Sequence, residues 1–137
     1  MVLVDSSVWV DFYRGKITLA VEQLKKMMWR TDEIIVGDLI FAEVLQGANS
    51  EKEFAKIRND LFAFPQITIS DTACAIQSAK NYRFLRARGV TIRKTIDTLI
   101  ATRCIIDSIP LLHNDRDFDP FVTHLGLVSI ISPETKP

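Results

Sequence analysis

Thiol chemistry has little to work with in this chain. Its two cysteines, Cys74 and Cys104, belong to no Cys-x-x-Cys motif and no Cys/His cluster, which argues against a disulfide framework or a thiolate metal site. Both lie in segments of helical period, so buried free thiols are expected. Glycine and proline are sparse, five of each, and there is no internal repeat, low-complexity tract or interior linker. No apolar stretch approaches the roughly 20 residues a bilayer span requires. The first apolar run is broken by Asp5 and no basic leader precedes it, so neither a membrane segment nor a signal peptide is read, and a cytoplasmic location is expected. Net charge is missing too: 17 Lys plus Arg balance 17 Asp plus Glu. A polyanionic partner would therefore be held by a local basic patch, since overall charge offers nothing.

What the chain does have is 47% hydrophobic and 25% charged residues over 137 positions, enough for one globular core and too little for two ordinary domains. We expect a single domain over 1–131. Ser132 to Pro137, with two prolines and no apolar side chain, reads as a short C-terminal tail.

Short apolar runs alternate with longer stretches of helical period. Val2 to Val4, Ile34 to Val36, Ile67 to Ile69, Ile109 to Leu112 and Leu127 to Ile131 are strand candidates, and their nearly continuous apolar character suggests cover on both faces. Between them Leu19 to Met28, Leu39 to Gln46, Ser50 to Phe62, Asp71 to Arg88 and Thr95 to Ile106 read as helices, with Ser50, Asp71 and Thr95 as caps. Gly89 sits where a helix C-terminus needs it. A repeated βα order implies an α/β fold: a mainly parallel sheet of about five strands between helical layers, joined by right-handed crossovers.

The opening VLVDSS ends a buried run on a carboxylate. In open parallel sheets, ligands bind at the carboxyl ends of the strands, near the point where strand order reverses. Asp5 would stand at such an end, although it could also simply cap a short helix through Val8 to Tyr13. Glu43, in GDLIFAEVLQG, falls among core-facing neighbours on the helix after the second strand, and its face is ambiguous. Asp97, in TIRKTIDTLIATRC, lies in the first turn of a helix, where a carboxylate also complements the dipole. Asp115, in IPLLHNDRDFD, follows the fourth strand, with Asp117 and Asp119 behind it in a stretch suited to turns. Each is ordinary alone, but the fold would gather all four. Converging carboxylates repel, and without a cation some would take up protons. Oxygen ligands with no nearby His or Cys set favour Mg²⁺ or Mn²⁺ over zinc or copper.

These stretches, VLVDSSVWVD, IFAEVLQG, IDTLIATRC and HNDRDFDPF, resemble the PIN-domain ribonucleases, specifically the VapC-type toxins of toxin-antitoxin pairs, and the resemblance spans nearly the whole chain. It implies a three-layer PIN-like domain and a metal-dependent endoribonuclease that inhibits translation and growth. It also implies that Asp5, Asp97 and Asp115 are catalytic metal ligands, with Asp117 an additional or alternative one, and that Glu43 is catalytic with them, binding the ion through water or helping to deprotonate the nucleophile. Ser6 and Ser7 match the small hydroxyl positions that orient a ligand or a bound water. Many relatives have Thr or Ser where this chain has His113, for which a structural role is expected. A homodimer, a VapB-like antitoxin covering an apolar groove, and an RNA substrate, with tRNA or another structured RNA a candidate, follow from the same resemblance.

Cations for the substrate phosphates are available at Arg86, Arg88, Arg93 and Lys94 before Asp97, and at Arg116 beside Asp115. The aromatic group Trp9, Phe12 and Tyr13, and the Met27, Met28, Trp29 run, read first as core. Two rivals stand against the nuclease reading. A phosphohydrolase with Asp5 as covalent nucleophile would want a second aspartate where this chain has Ser7. A catalytically inactive PIN-like binding module would have little use for four retained acids.

Overall fold

The computed structural model describes residues 1–30 and 33–130; the expected tail, Ser132 to Pro137, lies outside them. Five parallel strands run in the order β3-β2-β1-β4-β5, with β1 at Val2–Val4, β2 at Ile34–Gly37, β3 at Gln66–Ile67, β4 at Leu111–Leu112 and β5 at Ser129–Ile130. Seven α-helices are seen among the described residues: α1 Ser6–Tyr13, α2 Leu19–Met28, α3 Asp38–Leu45, α4 Glu51–Phe62, α5 Thr72–Ala87, α6 Thr95–Asp107 and α7 Asp119–Leu125.

The strand order follows from the chain's path. From β1 the connections step outward to β2 and β3; the chain then crosses to the far side of β1 to add β4 and β5. Strand order therefore reverses between β1 and β4, which opens the crevice where ligands bind in such sheets. The helices sort accordingly: α1 packs on α2 and α3, and α3 on α4, whereas α5 packs on α6 and α7. Leu3, Val4, Ile34, Val36, Leu111 and Leu112 have no exposed surface, as expected of strands covered on both faces.

Local signals account for most element ends. Thr18, Ser50 and Asp71 each accept a hydrogen bond from the backbone N–H three residues on, capping α2, α4 and α5. After α5, Gly89 has φ +80° and the chain closes with Gly89 N–H donating to Arg86 O (3.0 Å) and Val90 N–H to Leu85 O (3.0 Å), the Schellman arrangement. Thr95 does not cap α6: it is the first helical residue, and Lys94 before it makes no side-chain cap bond. Trp9 is wholly buried, Phe12 and Tyr13 pack against the core from partly buried positions, and Met27 is buried, but Trp29 is 89% exposed.

Three strands are shorter or shifted relative to the sequence reading, each because a backbone N–H is committed elsewhere. Ile69 N–H goes to Asp38 Oδ1 (2.6 Å), so β3 ends at Ile67. Ile109 N–H closes α6 on Cys104 O (2.9 Å) and Pro110 has none to give, so β4 begins at Leu111. Leu127 N–H closes α7 on Phe121 O (3.1 Å), so β5 begins at Ser129. Gly37, at the β2–α3 junction, is fixed by proximity: a Cβ there would overlap the Ile69 side chain. Cys74 and Cys104 are buried free thiols, and burial pushes Cys104 up to about 12.

Candidate active site

Asp5 leaves β1 at the reversal point, its N–H still donating to Leu112 O of β4 (2.9 Å). Its carboxylate then does two things. Oδ2 caps α1, accepting from Ser7 N–H (3.1 Å) and Ser7 Oγ (2.6 Å). Oδ1 is buried with no hydrogen-bond partner. Burial raises the Asp5 pKa, against the opposing pull of the Ser7 bonds. The capping reading and the site reading are thus compatible: one oxygen serves each.

Glu43 reaches the same place from α3. Ser6 Oγ donates to Glu43 Oε1 (2.9 Å), tying the first turn of α1 to α3. Its pKa is raised by burial and further by the Asp5 charge, while the Ser6 bond and Lys94 act to lower it. Asp97, in the first turn of α6, is only 5% exposed, and its Oδ2 is a second buried oxygen with no partner. Burial, then the charges of Asp5 and Asp115, push Asp97 up to about 7; Glu43 adds to the rise and Lys94 opposes it. The four acids therefore share one electrostatic neighbourhood although they are spread from residue 5 to residue 115.

Asp115 caps the 3-10 turn Arg116–Phe118, its Oδ1 accepting from Asp117 N–H (2.9 Å). Asp97, Asp115 and Asp117 each offer one carboxylate oxygen, all within 4.8 Å of one another. Asp5 and Glu43 lie outside this group and act on Asp97 by charge, held in turn by Ser7 and Ser6.

His113 shapes the loop that presents Asp115. Its Nδ1 accepts from Asp115 N–H (3.3 Å), so the proton of the neutral ring lies on Nε2, 2.6 Å from Ser129 Oγ on β5. Burial lowers its pKa, which keeps the ring neutral, and the ring packs on Phe118 with centroids 5.0 Å apart. Sequence alone assigns His113 a structural role; its bond to the Asp115 backbone makes that role one of positioning the acid loop.

The residues present suit a hard divalent cation. Two buried carboxylate oxygens lack any partner, a cost that proteins seldom carry unless a ligand removes it. Three carboxylates in reach of one point, with no thiolate and with the one nearby imidazole committed at both nitrogens, form an oxygen donor set. Of the expected substrate cations, Lys94 acts on both Glu43 and Asp97, while Arg93 and Arg116 are exposed. The Ser6–Glu43 bridge and the Asp38–Ile69 clamp have no signature in the sequence, because each depends on a partner more than 30 residues away.

Comparison with known proteins finds matches over most of the chain. A family model described as the PIN domain matches residues 2–121. The VapC ribonuclease Mb1587 of Mycobacterium bovis is 28% identical over 120 residues, covering 87% of this chain and 90% of that protein, and ribonuclease VapC11 of Mycobacterium tuberculosis matches to the same extent. Among solved structures, a chain of VapBC2 from Rickettsia felis bound to a DNA fragment from its promoter superposes with a TM-score of 0.74 at 19% identity, covering 94% of this chain and 97% of that one. A chain of DNA-bound VapBC from Salmonella typhimurium gives a TM-score of 0.71 at 16% identity, covering 94% and 97%.

Proposed function

This chain belongs to the PIN-domain family, and from that premise we propose that it is a divalent-metal-dependent endoribonuclease, the toxin of a toxin-antitoxin pair. The observation that carries the reading is the pair of buried, partnerless carboxylate oxygens on Asp5 and Asp97 beside the Asp97, Asp115 and Asp117 group. Asp97, Asp115 and Asp117, with Asp5 next to them, would hold Mg²⁺ or Mn²⁺. A bound ion would supply a Lewis acid for the scissile phosphodiester and make a water more acidic.

The chain's own residues do the rest. Ser7 holds Asp5 through Oδ2 and so fixes the direction of Oδ1. Ser6 holds Glu43 through Oε1 and leaves Oε2 as the atom to receive a proton from the attacking water; its raised pKa makes Glu43 a stronger base than an ordinary carboxylate. His113 fixes the backbone from which Asp115 and Asp117 project. Lys94, and Arg93 and Arg116 at the surface, would meet substrate phosphates. Because water attacks, the products carry a 5′-phosphate and a 3′-hydroxyl; a 2′,3′-cyclic phosphate would contradict the mechanism. Asp5 as a covalent nucleophile fits poorly, since Ser7 stands where that chemistry would want a second aspartate.

The relatives named VapC ribonuclease and the neighbours solved as VapBC complexes support an RNA substrate and a VapB-like antitoxin; a homodimer and a cytoplasmic site of action complete the proposal. No helix among the described residues is long and apolar enough to cross a membrane. The test is end-mapping of cellular RNA after brief induction. We expect discrete new 5′-phosphate ends with the native chain and none with Asp5→Asn; identical maps would refute the reading.

A further inference from the structure

Charge is balanced over the chain but not along it. Between Asp71 and Asp97 there is no acid at all, while Lys80, Arg83, Arg86, Arg88, Arg93 and Lys94 supply six cations. Among the described residues none of the six takes part in a salt bridge; the ion pairs present use Lys16, Lys25, Arg30, Lys56 and Arg103. Four of the six gather at one place. Lys80, Arg83, Phe84, Arg86, Ala87 and Arg88 line an open cavity of about 540 Å³ over the C-terminal half of α5.

Aromatic rings are interleaved with these cations. The Arg88 guanidinium lies over the Phe84 ring, 3.4 Å from its centroid, with its NH1 donating to Phe84 O (3.1 Å), and Arg86 lies 5.6 Å from the Tyr82 centroid. Helix capping explains Arg86 and Arg88 in part, since cations suit a helix C-terminus. It does not explain Lys80 and Arg83, which stand two turns and one turn back on the exposed face of the helix and complete the cavity wall. From Arg88 the chain runs through Arg93 to Lys94, whose charge acts on Glu43 and Asp97. Six residues span at most about 20 Å, so groove and acid pocket lie within reach of one short strand.

Resting on the endoribonuclease reading, we propose that this groove docks an unpaired stretch of the RNA substrate, with phosphates on Lys80 and Arg83 and bases on the Phe84–Arg88 stack, and that Arg93 and Lys94 lead the backbone from there to the acids. A solvated cation cluster without aromatics would suit a duplex backbone equally; stacked guanidinium and ring planes suit bases that are not paired.

The test uses a fluorescein-labelled 12-nucleotide unpaired RNA, titrated without divalent cation so that it stays intact, against the full chain and against Lys80→Glu/Arg83→Glu. Lys52→Glu on α4, also exposed, controls for charge reversal elsewhere on the surface. Cleavage of total RNA with Mg²⁺ is measured in parallel. We expect the double reversal to weaken binding at least about tenfold and, as two phosphate contacts are lost, to flatten the slope of log affinity against log salt by about 1.4. Its cleavage defect falls in KM, with kcat retained, and Lys52→Glu behaves as the native chain. Lys80→Gln/Arg83→Gln shows the same effects at smaller size, which separates lost contacts from misfolding.

Unchanged affinity and slope in the double reversal, with native cleavage intact, overturn the groove and leave the nuclease reading standing. Equal binding of a duplex of the same length overturns the unpaired strand. A change in molecular mass by light scattering on reversal overturns the proposal in favour of contact between copies of the chain. A native chain that neither binds nor cleaves RNA overturns both readings together.

Discussion

Helix α6 carries two buried charged groups barely two turns apart, and they are treated in opposite ways. Arg103 is clamped: Nε donates to Ile69 O (3.2 Å), NH2 meets Asp71 at 2.8 Å and NH1 meets Asp107 at 3.3 Å. Asp97 is left open, with one oxygen lacking any partner; Asp5, Asp115 and Glu43 around it are of its own sign, and only Lys94 opposes them. A buried charge that the fold has satisfied ties elements together, here α6 to the β3–α5 junction. A buried carboxylate set among three others, with one exposed lysine against them, is waiting for more counter-charge than the chain supplies. The contrast separates structure from function more sharply than burial does, since both residues are less than a tenth exposed.

Removing the like-charged group should have the largest effect on activity and none of the usual cost in stability. Asp97→Asn is expected to lower RNA cleavage by about 10²-fold or more, while the melting temperature of the metal-free protein stays level or rises because repulsion is relieved. A loss of stability alongside the activity would erase the distinction. Arg103→Met should do the reverse, costing about 1–3 kcal/mol because the Ile69 carbonyl is left unsatisfied, with cleavage per folded molecule retained. Urea unfolding paired with initial rates reads both.

The contrast also has a pH dependence of definite sign. Asp97 holds its proton more tightly in the folded state, titrating at about 7 against an ordinary value of 3.8, so the native state binds more protons across that window and its stability falls as pH rises. Melting curves of the metal-free protein should therefore drop between pH 5 and pH 8, as both values bracket the folded titration. Mg²⁺ or Mn²⁺ should raise the melting temperature more at pH 8 than at pH 5; equal rises would contradict the assignment. Smallest of all, Ser6→Ala frees Glu43 Oε1 and removes one charge-assisted bond, for which several-fold slower cleavage with unchanged KM is expected.

How much of this was legible before the structure varies with how local each cause is. Helix Leu19–Met28 is read to the residue because its buried stripe, Ala20, Val21, Leu24 and Met27, lies within it, and the Gly89 termination needs only a glycine at the right offset. The parallel sheet follows from the alternation of apolar runs with helices. Strand ends at Ile69, Ile109 and Leu127 escape such reading, because the partners that take their N–H groups, Asp38, Cys104 and Phe121, belong to other elements. Helix α7, seven residues with a proline at its start, is too short to announce a period. At the site, the acids stand out as a class by their places after strands, but the tight grouping of Asp97 with Asp115 and Asp117, and the position of Asp5 just outside it, are matters of side-chain direction. His113 is similar: nothing near it in sequence indicates that Ser129 will hold its far nitrogen.

The account stands on the acid pocket capturing a divalent ion, and calorimetric titration of Mn²⁺ into the metal-free chain at pH 7.5 tests that directly. Saturable binding is predicted for the native protein and for Arg103→Met, and its loss in Asp97→Asn. Native protein that takes up no Mn²⁺, or Asp97→Asn that takes it up as well as the native chain, would contradict the account.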